Sequence, residues 1–310
     1  MTYPLEGVAP LPHLGVIRAQ GEDAASFLHG QLTQDFVLLP PGQARLAAFC
    51  SAKGRMQASF IGVPLAPQDY ALVVSRDLLA PTLKRLSMFV LRAKVKLSDA
   101  TQAFMLRGLA GQAAATTEGE GAAGQALAPW AHGVSSGQHR VGLYPADGVA
   151  RALWLAPVGT PEPAGASMDT TRWLWGEVRS GVATISAPVH EAFVPQMLNY
   201  ESVGAVNFKK GCYPGQEVVA RSQFRGTLKR RATLAHAAQA LQAGMELYHP
   251  EDPSQPCGLV AQAAPAPGGG WDAIVSLQTS AMEGGPLTAG APDGPVLALQ
   301  ALPYPLLADV

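Results

Sequence analysis

The densest chemistry in the chain lies in ten consecutive residues, Phe208-Lys209-Lys210-Gly211-Cys212-Tyr213-Pro214-Gly215-Gln216-Glu217. A thiol stands between two glycines and shortly after two lysines. Glycine tolerates positive φ and lets backbone approach a ligand closely. Neighbouring cations favour thiolate over thiol, so the setting predicts Cys212 as a reactive nucleophile with Lys210 as its activator. The blander reading is a buried turn in which Cys212 acts as a small hydrophobe. Basic residues continue downstream. From 209 to 231, Lys209, Lys210, Arg221, Arg225, Lys229, Arg230 and Arg231 stand against Glu217 alone, a local excess of +6. That field suits an anionic partner such as a polycarboxylate tail, a phosphate or RNA. A solvated face is the alternative.

Other candidates carry less. His29 and His190 stand near carboxylates, and Asp23 reads as a helix cap rather than an acid or base. Trp173 and Trp175 share one helix and project differently, so one can serve the core while the other faces a cleft. A flat heteroaromatic ligand would stack on such a ring. The chain has no dinucleotide fingerprint, Walker A, HExxH or nucleophile-elbow pattern. Cys50, Cys212 and Cys257 are odd in number and widely spaced, which fits a reducing compartment better than disulfides or a metal knuckle.

The elements that must position these residues fall into three textures. The 310 residues suffice for two or three domains with real cores. From 15 to 98, a strand at Gly15–Ala19 and a helix capped by Asp23, with Ala24, Phe27, Leu28 and Leu32 inward, come first. Strand-like runs at Leu46–Cys50 with Met56–Val63 and at Tyr70–Val74 follow. A helix over Asp77–Val90 and a strand at Ala93–Leu97 close the unit. The order β-α-β-β-α-β predicts a ferredoxin-like, split βαβ arrangement. Residues 99 to 231 form a second α+β unit. It has a loop or weak helix over 111–125, strands at Val141–Tyr144 and Ala152–Ala156, a Pro/Gly linker over 159–167 and a helix from a capping Asp169 to Ser180. From 232 onward, short strands at Thr233–Ala235, Met245–Tyr248, Gly258–Ala261, Asp272–Leu277 and Val296–Ala301 alternate with Gly/Pro turns, which predicts a small C-terminal β-barrel.

With 22 Lys and Arg against 23 Asp and Glu, the formal net charge is −1, and nothing global advertises a nucleic acid or a membrane. No basic-then-apolar leader opens the chain and no run approaches the ~20 apolar residues of a membrane helix. The expected compartment is the cytoplasm.

The Lys210–Glu217 run, Val219-Ala220-Arg221, Arg225-Gly226 and Lys229-Arg230 together resemble the signature of the YgfZ family of folate-binding proteins, relatives of the glycine-cleavage T-protein. The likeness extends to Gly21-Glu22-Asp23, Phe27 through Asp35, Cys50 through Arg55, Phe193 through Gln196 and Leu302-Pro303-Tyr304. It implies an α+β fold of three domains, at 1–98, 99–231 and 232–310, around a central opening that holds tetrahydrofolate. It also implies a role in synthesis or repair of iron–sulfur clusters in client enzymes, and through these in tRNA modification.

Carried over by position, Trp173 is a folate contact and Leu14 replaces a second tryptophan. Arg179 stands where T-proteins carry a pterin-binding acid, with Glu177 able to compensate. Gly211, Tyr213, Gly215, Gln216, Glu217 and Arg221 complete the cofactor-binding set around Cys212 and Lys210. Aminomethyltransferases carry an aspartate pair in a stretch that reads Lys53-Gly54-Arg55-Met56-Gln57-Ala58 here. A folate-binding accessory factor is therefore favoured over the alternative, a folate-dependent one-carbon transferase. A tRNA-binding module is a second alternative, disfavoured by the near-neutral charge.

Overall fold

A computed structural model describes residues 5–115, 124–224, 228–283 and 285–307. Strand β1 (Gly7–Pro10) turns at Leu11–His13 into β2 (Leu14–Gln20), which leads to α1 (Ala24–Gln31). Then come β3 (Arg45–Cys50), β4 (Met56–Ala66), β5 (Asp69–Ser75), α2 (Arg76–Ser87) and β6 (Lys96–Asp99). The sheet order is β3-β4-β5-β2-β6, antiparallel throughout. Without β3 this is the expected split βαβ order. The run read around 46–63 resolves into two strands because the Ser51–Arg55 turn folds it back, with Ser51 N–H donating to Arg55 O at 2.8 Å and Gly54 at φ +70°.

Alternation along the strands gives this sheet two buried faces. Ile17, Leu72 and Val74 pack with Phe27 and Leu28 of α1 and Leu79 and Leu86 of α2. Val16, Ala71 and Val73 face the other way, against Val141, Leu153 and Trp173. Asp23 does not cap α1 through its side chain. Its carboxylate instead accepts the Lys94 N–H at 2.7 Å, tying the helix start to the segment before β6.

The second sheet contains β7 (Phe104–Ala110), β8 (His132–Ser135), β9 (Gln138–Ala146) and β10 (Val149–Pro157), in the order β1-β7-β10-β9-β8. Strand β1 thus leaves its sequence neighbours to join a sheet built from later residues. Helix α3 (Thr170–Arg179) follows, and here the expected cap forms, with Asp169 accepting the Thr171 N–H at 2.7 Å. Part of the loop expected over 111–125 lies outside the described residues, as do Arg225 and Gly226.

Helix α4 (Gln216–Phe224) precedes the barrel strands β11 (Arg230–Ala237), β12 (Glu246–His249), β13 (Asp252–Pro265), β14 (Trp271–Gln278), β15 (Leu287–Ala289) and β16 (Val296–Gln300). They close in the order β11-β14-β13-β12-β15-β16, which leaves no unpaired edge. The expected barrel is present. Strand β15 went unread because three residues show no periodicity, and α4 because Pro214-Gly215 reads as a turn.

The barrel is fastened to the rest of the chain by Asn199, at φ +56° after a 3-10 turn (Pro195–Leu198). Its side chain donates to Ala232 O at 3.0 Å and accepts the Ala232 N–H at 3.3 Å, extending the β11 ladder with an amide in place of a strand. Both residues are buried. Beside them Arg231 pairs with the buried Glu201. Replacing Asn199 by Ala should strip both bonds from Ala232 and lower the urea-unfolding free energy by about 2–4 kcal/mol, with the fold retained.

Candidate functional site

Where the inward faces of the two sheets meet, they leave a cavity of about 60 Å³. Leu14 and Ile61 wall it from the first sheet, Tyr144 and Arg151 from the second, and Trp173 and Glu177 from α3, with Trp130 beside them. Residues 173 and 177 are one helical turn apart and so share a face of α3. The Trp173 indole N–H donates to Glu177 Oε1 at 2.8 Å. The Arg151 guanidinium lies 4.3 Å from the centre of the Trp173 ring. Gly108 of β7 makes room for that ring, since a β-carbon there would fall 2.4 Å from it.

Glu177 is the electrostatic centre of the site. His13 Nε2 donates to its Oε1 at 3.2 Å and Gln262 Nε2 to its Oε2 at 3.0 Å. The carboxylate therefore joins α3, the turn before β2 and barrel strand β13. Burial pushes the Glu177 carboxyl up, but the charge and hydrogen bond of His13, the Arg151 charge and the Trp173 N–H outweigh it and hold it below its ordinary value. Burial lowers the His13 imidazole, and Glu177 more than restores it. Burial pulls the Arg151 guanidinium down to about 10, against the Glu177 charge. Two buried donors of this group, Arg151 Nε and His13 Nδ1, have no hydrogen-bond partner among the described residues. On its other side Glu177 faces a surface groove of about 460 Å³, lined also by His13, Arg76, Leu174 and Gln262. Glu177 and Thr184 line both spaces and so stand between groove and cavity.

The Lys210–Arg221 residues form a second locus that contributes nothing to the walls of this cavity. Lys210 is buried, and its Nζ donates to the carbonyls of His29 and Leu32, the latter at 2.9 Å, at the C-terminal end of α1. A cation there also answers the negative end of the helix dipole. Burial pulls the amine down to about 8, while the charges of Asp35 and Cys212 push the other way. Tyr213 packs under it, with Nζ 4.5 Å from the ring centre. Cys212 is exposed, whereas Cys50 and Cys257 are buried, and burial pushes the Cys50 thiol up to about 12.

The two glycines of the motif do different work. A β-carbon on Gly211 would lie 3.2 Å from His29 Nε2. Gly215, at φ +81°, touches Gly54, itself at φ +70°. A β-carbon on Gly215 would fall 2.4 Å from Ser51 O and 2.8 Å from Gly54 Cα. The close approach that glycine permits here is to the chain's own Cys50–Arg55 turn. Gln216 opens α4, and Glu217 and Arg221 lie exposed along it.

The structure therefore brings together Leu14, Trp173 and Glu177, and separately Lys210, Gly211, Cys212, Tyr213, Gly215, Gln216, Glu217 and Arg221. Arg179 belongs to neither place. It points from the opposite face of α3, where Nη2 donates to Asp147 Oδ1 at 2.7 Å beside a separate groove of about 550 Å³ that Trp175 also lines. The basic segment is not one face either, because Lys210 and Arg231 are internal and Lys209, Arg221 and Lys229 exposed. Sequence reasoning missed His13, Arg151 and Gln262. Arg151 left a signal, as the lone charge in the apolar strand run from Val149 to Ala156. His13 and Gln262 left none.

No family model matches the chain. It is 32% identical over 221 residues to the tRNA-modifying protein YgfZ of Photobacterium profundum, a match covering 70% of this chain and 65% of that one. It is 28% identical over 246 residues to the protein of the same name from Cronobacter sakazakii, covering 73% and 70%. Among solved structures, the glycine cleavage system aminomethyltransferase T of Bartonella henselae superposes with a TM-score of 0.68 at 15% identity, over 97% of this chain and 86% of that one. Two sheets and a closed barrel around a buried carboxylate thus define an α+β protein of the T-protein architecture. The chain belongs to the YgfZ family.

Gly215→Ala should force the Gly54 turn and the motif apart, lowering the thermal midpoint by several degrees in a circular dichroism melt. The His13–Glu177 pair should show its own pH window. Glu177, held below the ordinary 4.5, contributes stability above that pH and loses it as pH falls through its lowered value. His13, held above 6.5, contributes below that pH and loses it as pH rises through its raised value. Urea unfolding of wild type minus His13→Gln should therefore differ most between pH 4.5 and 6.5, by about 1.5 kcal/mol, and converge on either side.

Proposed function

We propose that this protein binds tetrahydrofolate in the central cavity and serves as an accessory factor for iron–sulfur enzymes of tRNA modification, with Cys212 as a reactive thiol. The observation that carries the folate half is the buried Glu177 carboxylate, set between aromatic side chains on a T-protein-like fold. The relatives named as tRNA-modifying proteins support the cellular role.

The donor set fits a pterin. Glu177 can accept from the paired N–H groups of its pyrimidine edge, the unpartnered Arg151 Nε can donate to a carbonyl oxygen, and Trp130, Tyr144 and Trp173 give a flat apolar surround. The present volume, about 60 Å³, holds only a few waters, so a pterin enters only if the walls move, and release of Glu177 by His13 and Gln262 would open the cavity toward the groove. Arg76 at that groove can meet the carboxylates of the folate tail. This assigns the tail to a different cation from the 209–231 segment favoured by charge counting. When bound, the folate supplies ring nitrogens able to carry a one-carbon unit.

Amine transfer is disfavoured by the surroundings of Gln57. Its amide donates to Glu191 Oε1 at 2.8 Å, and neither residue lines the cavity. No carboxylate from that stretch can act on a cofactor held there.

Calorimetric titration of tetrahydrofolate should show saturable binding by wild type and at least tenfold weaker binding by Glu177→Gln, the loss of one charge-assisted bond. Absence of binding by wild type, or equal affinity of the variant, would overturn the folate site. Assays of iron–sulfur enzymes and of tRNA thiolation in cells lacking the gene test the accessory role, which predicts a loss in both.

A further inference from the structure

The ring of His29 is held by a carboxylate on one side and aimed at the cysteine motif on the other. His29 Nδ1 lies 2.9 Å from Asp35 Oδ1. Asp35 also accepts the backbone N–H groups of Val37 at 2.9 Å and Leu38 at 2.8 Å. Burial raises its carboxyl, and these bonds with the His29 contact outweigh that and keep it ionised. An ionised carboxylate only accepts, so Nδ1 carries the proton and Nε2 of the neutral ring presents its lone pair. That lone pair faces the Gly211 peptide, next to Cys212, across a gap that exists because residue 211 has no side chain.

Two contacts hold the segments in this relation. Lys210 Nζ binds the carbonyls of His29 and Leu32, and Asn207 N–H donates to Thr33 O at 2.9 Å. Carboxylate and imidazole therefore stand as orienter and base, and the thiol belongs to the residue that follows the peptide the imidazole faces. Sequence spacing hides it, since His29 and Cys212 lie in distant parts of the chain.

We propose that His29, oriented by Asp35, is the proton acceptor that activates Cys212. This rests on the reading of Cys212 as a reactive thiol and names the group that makes it so. In the step, the Cys212 S–H bond breaks, its proton forms an N–H bond at His29 Nε2, and a thiolate faces solvent. The charged groups nearby are Asp35, which holds Nδ1, and Lys210, whose amine binds the His29 carbonyl; Arg45 lies within the field of Asp35. Lys210, its amine held by backbone carbonyls, keeps its charge within reach of Cys212, and the proton goes to the histidine beside it.

The test is alkylation of the full chain by iodoacetamide, read at each cysteine by mass spectrometry from pH 5 to 10. The S–C bond forms as iodide leaves, and buried Cys50 and Cys257 serve as slow internal controls. Wild-type Cys212 should react at pH 7 at least tenfold faster than a cysteine peptide, with an inflection below the thiol's ordinary value of about 8.5. His29→Gln should cut that rate at least fivefold and move the inflection up, and Asp35→Asn should do the same to a smaller degree. Added imidazole should restore rate to His29→Gly, a response that a packing defect does not give. A fast wild type with an unchanged His29→Gln profile would overturn the proton-acceptor role and leave Cys212 reactive. A wild type no faster than the peptide would overturn the reactive thiol itself, and His29 with it.

Discussion

A carboxylate taken out of water costs several kcal/mol unless its partners are already in place, and Glu177 sets that condition on the whole molecule. Its three partners come from three parts of the chain: Trp173 on α3, His13 before β2, and Gln262 in the barrel. Trp173 is in place once α3 forms, but His13 and Gln262 arrive only when the first sheet and the barrel have docked on it. The same four groups that hold the parts together are those a ligand would have to engage. On the proposed reading, stability and binding would compete for one set of hydrogen bonds.

The run around Cys212 bears on architecture as much as on chemistry. Lys210 fastens the run to the end of α1, and Gly215 rests on Gly54 in the turn between β3 and β4. Two segments far apart in sequence are joined by a lysine on helix carbonyls and by two glycines in backbone contact. Substituting any of these residues would disturb the position of Cys212, so the proposed reactivity has to be read at the thiol itself.

Much of this was legible in sequence, for physical reasons that differ by element. The split βαβ order followed from alternation and helical spacing, and the barrel from short strands between Gly/Pro turns. Asp169 was readable as a cap because its helix begins one residue later with nothing competing for the carboxylate. Asp23 has the same local pattern, yet the Lys94 N–H takes it, a contact made by tertiary structure alone. Trp173, Glu177 and Leu14 came together at one cavity. Arg179 did not, because two further residues along α3 carry a side chain to the opposite face. His13 and Gln262 acquire their meaning only where three units meet.

Helix α3 stands between two hollows. Trp173 and Glu177 look into the inner one, while Trp175 and Arg179 line the groove on the outer side. The outer contacts are firm, with Arg179 bound to Asp147 and the Trp175 indole N–H donating to Asp272 at 2.7 Å. Such a helix is a shared wall. Any displacement of it that widens one hollow takes the same space from the other. A molecule lodged beside Trp175 would thereby act as a wedge against filling of the inner chamber, and by thermodynamic reciprocity an inner occupant would expel the wedge.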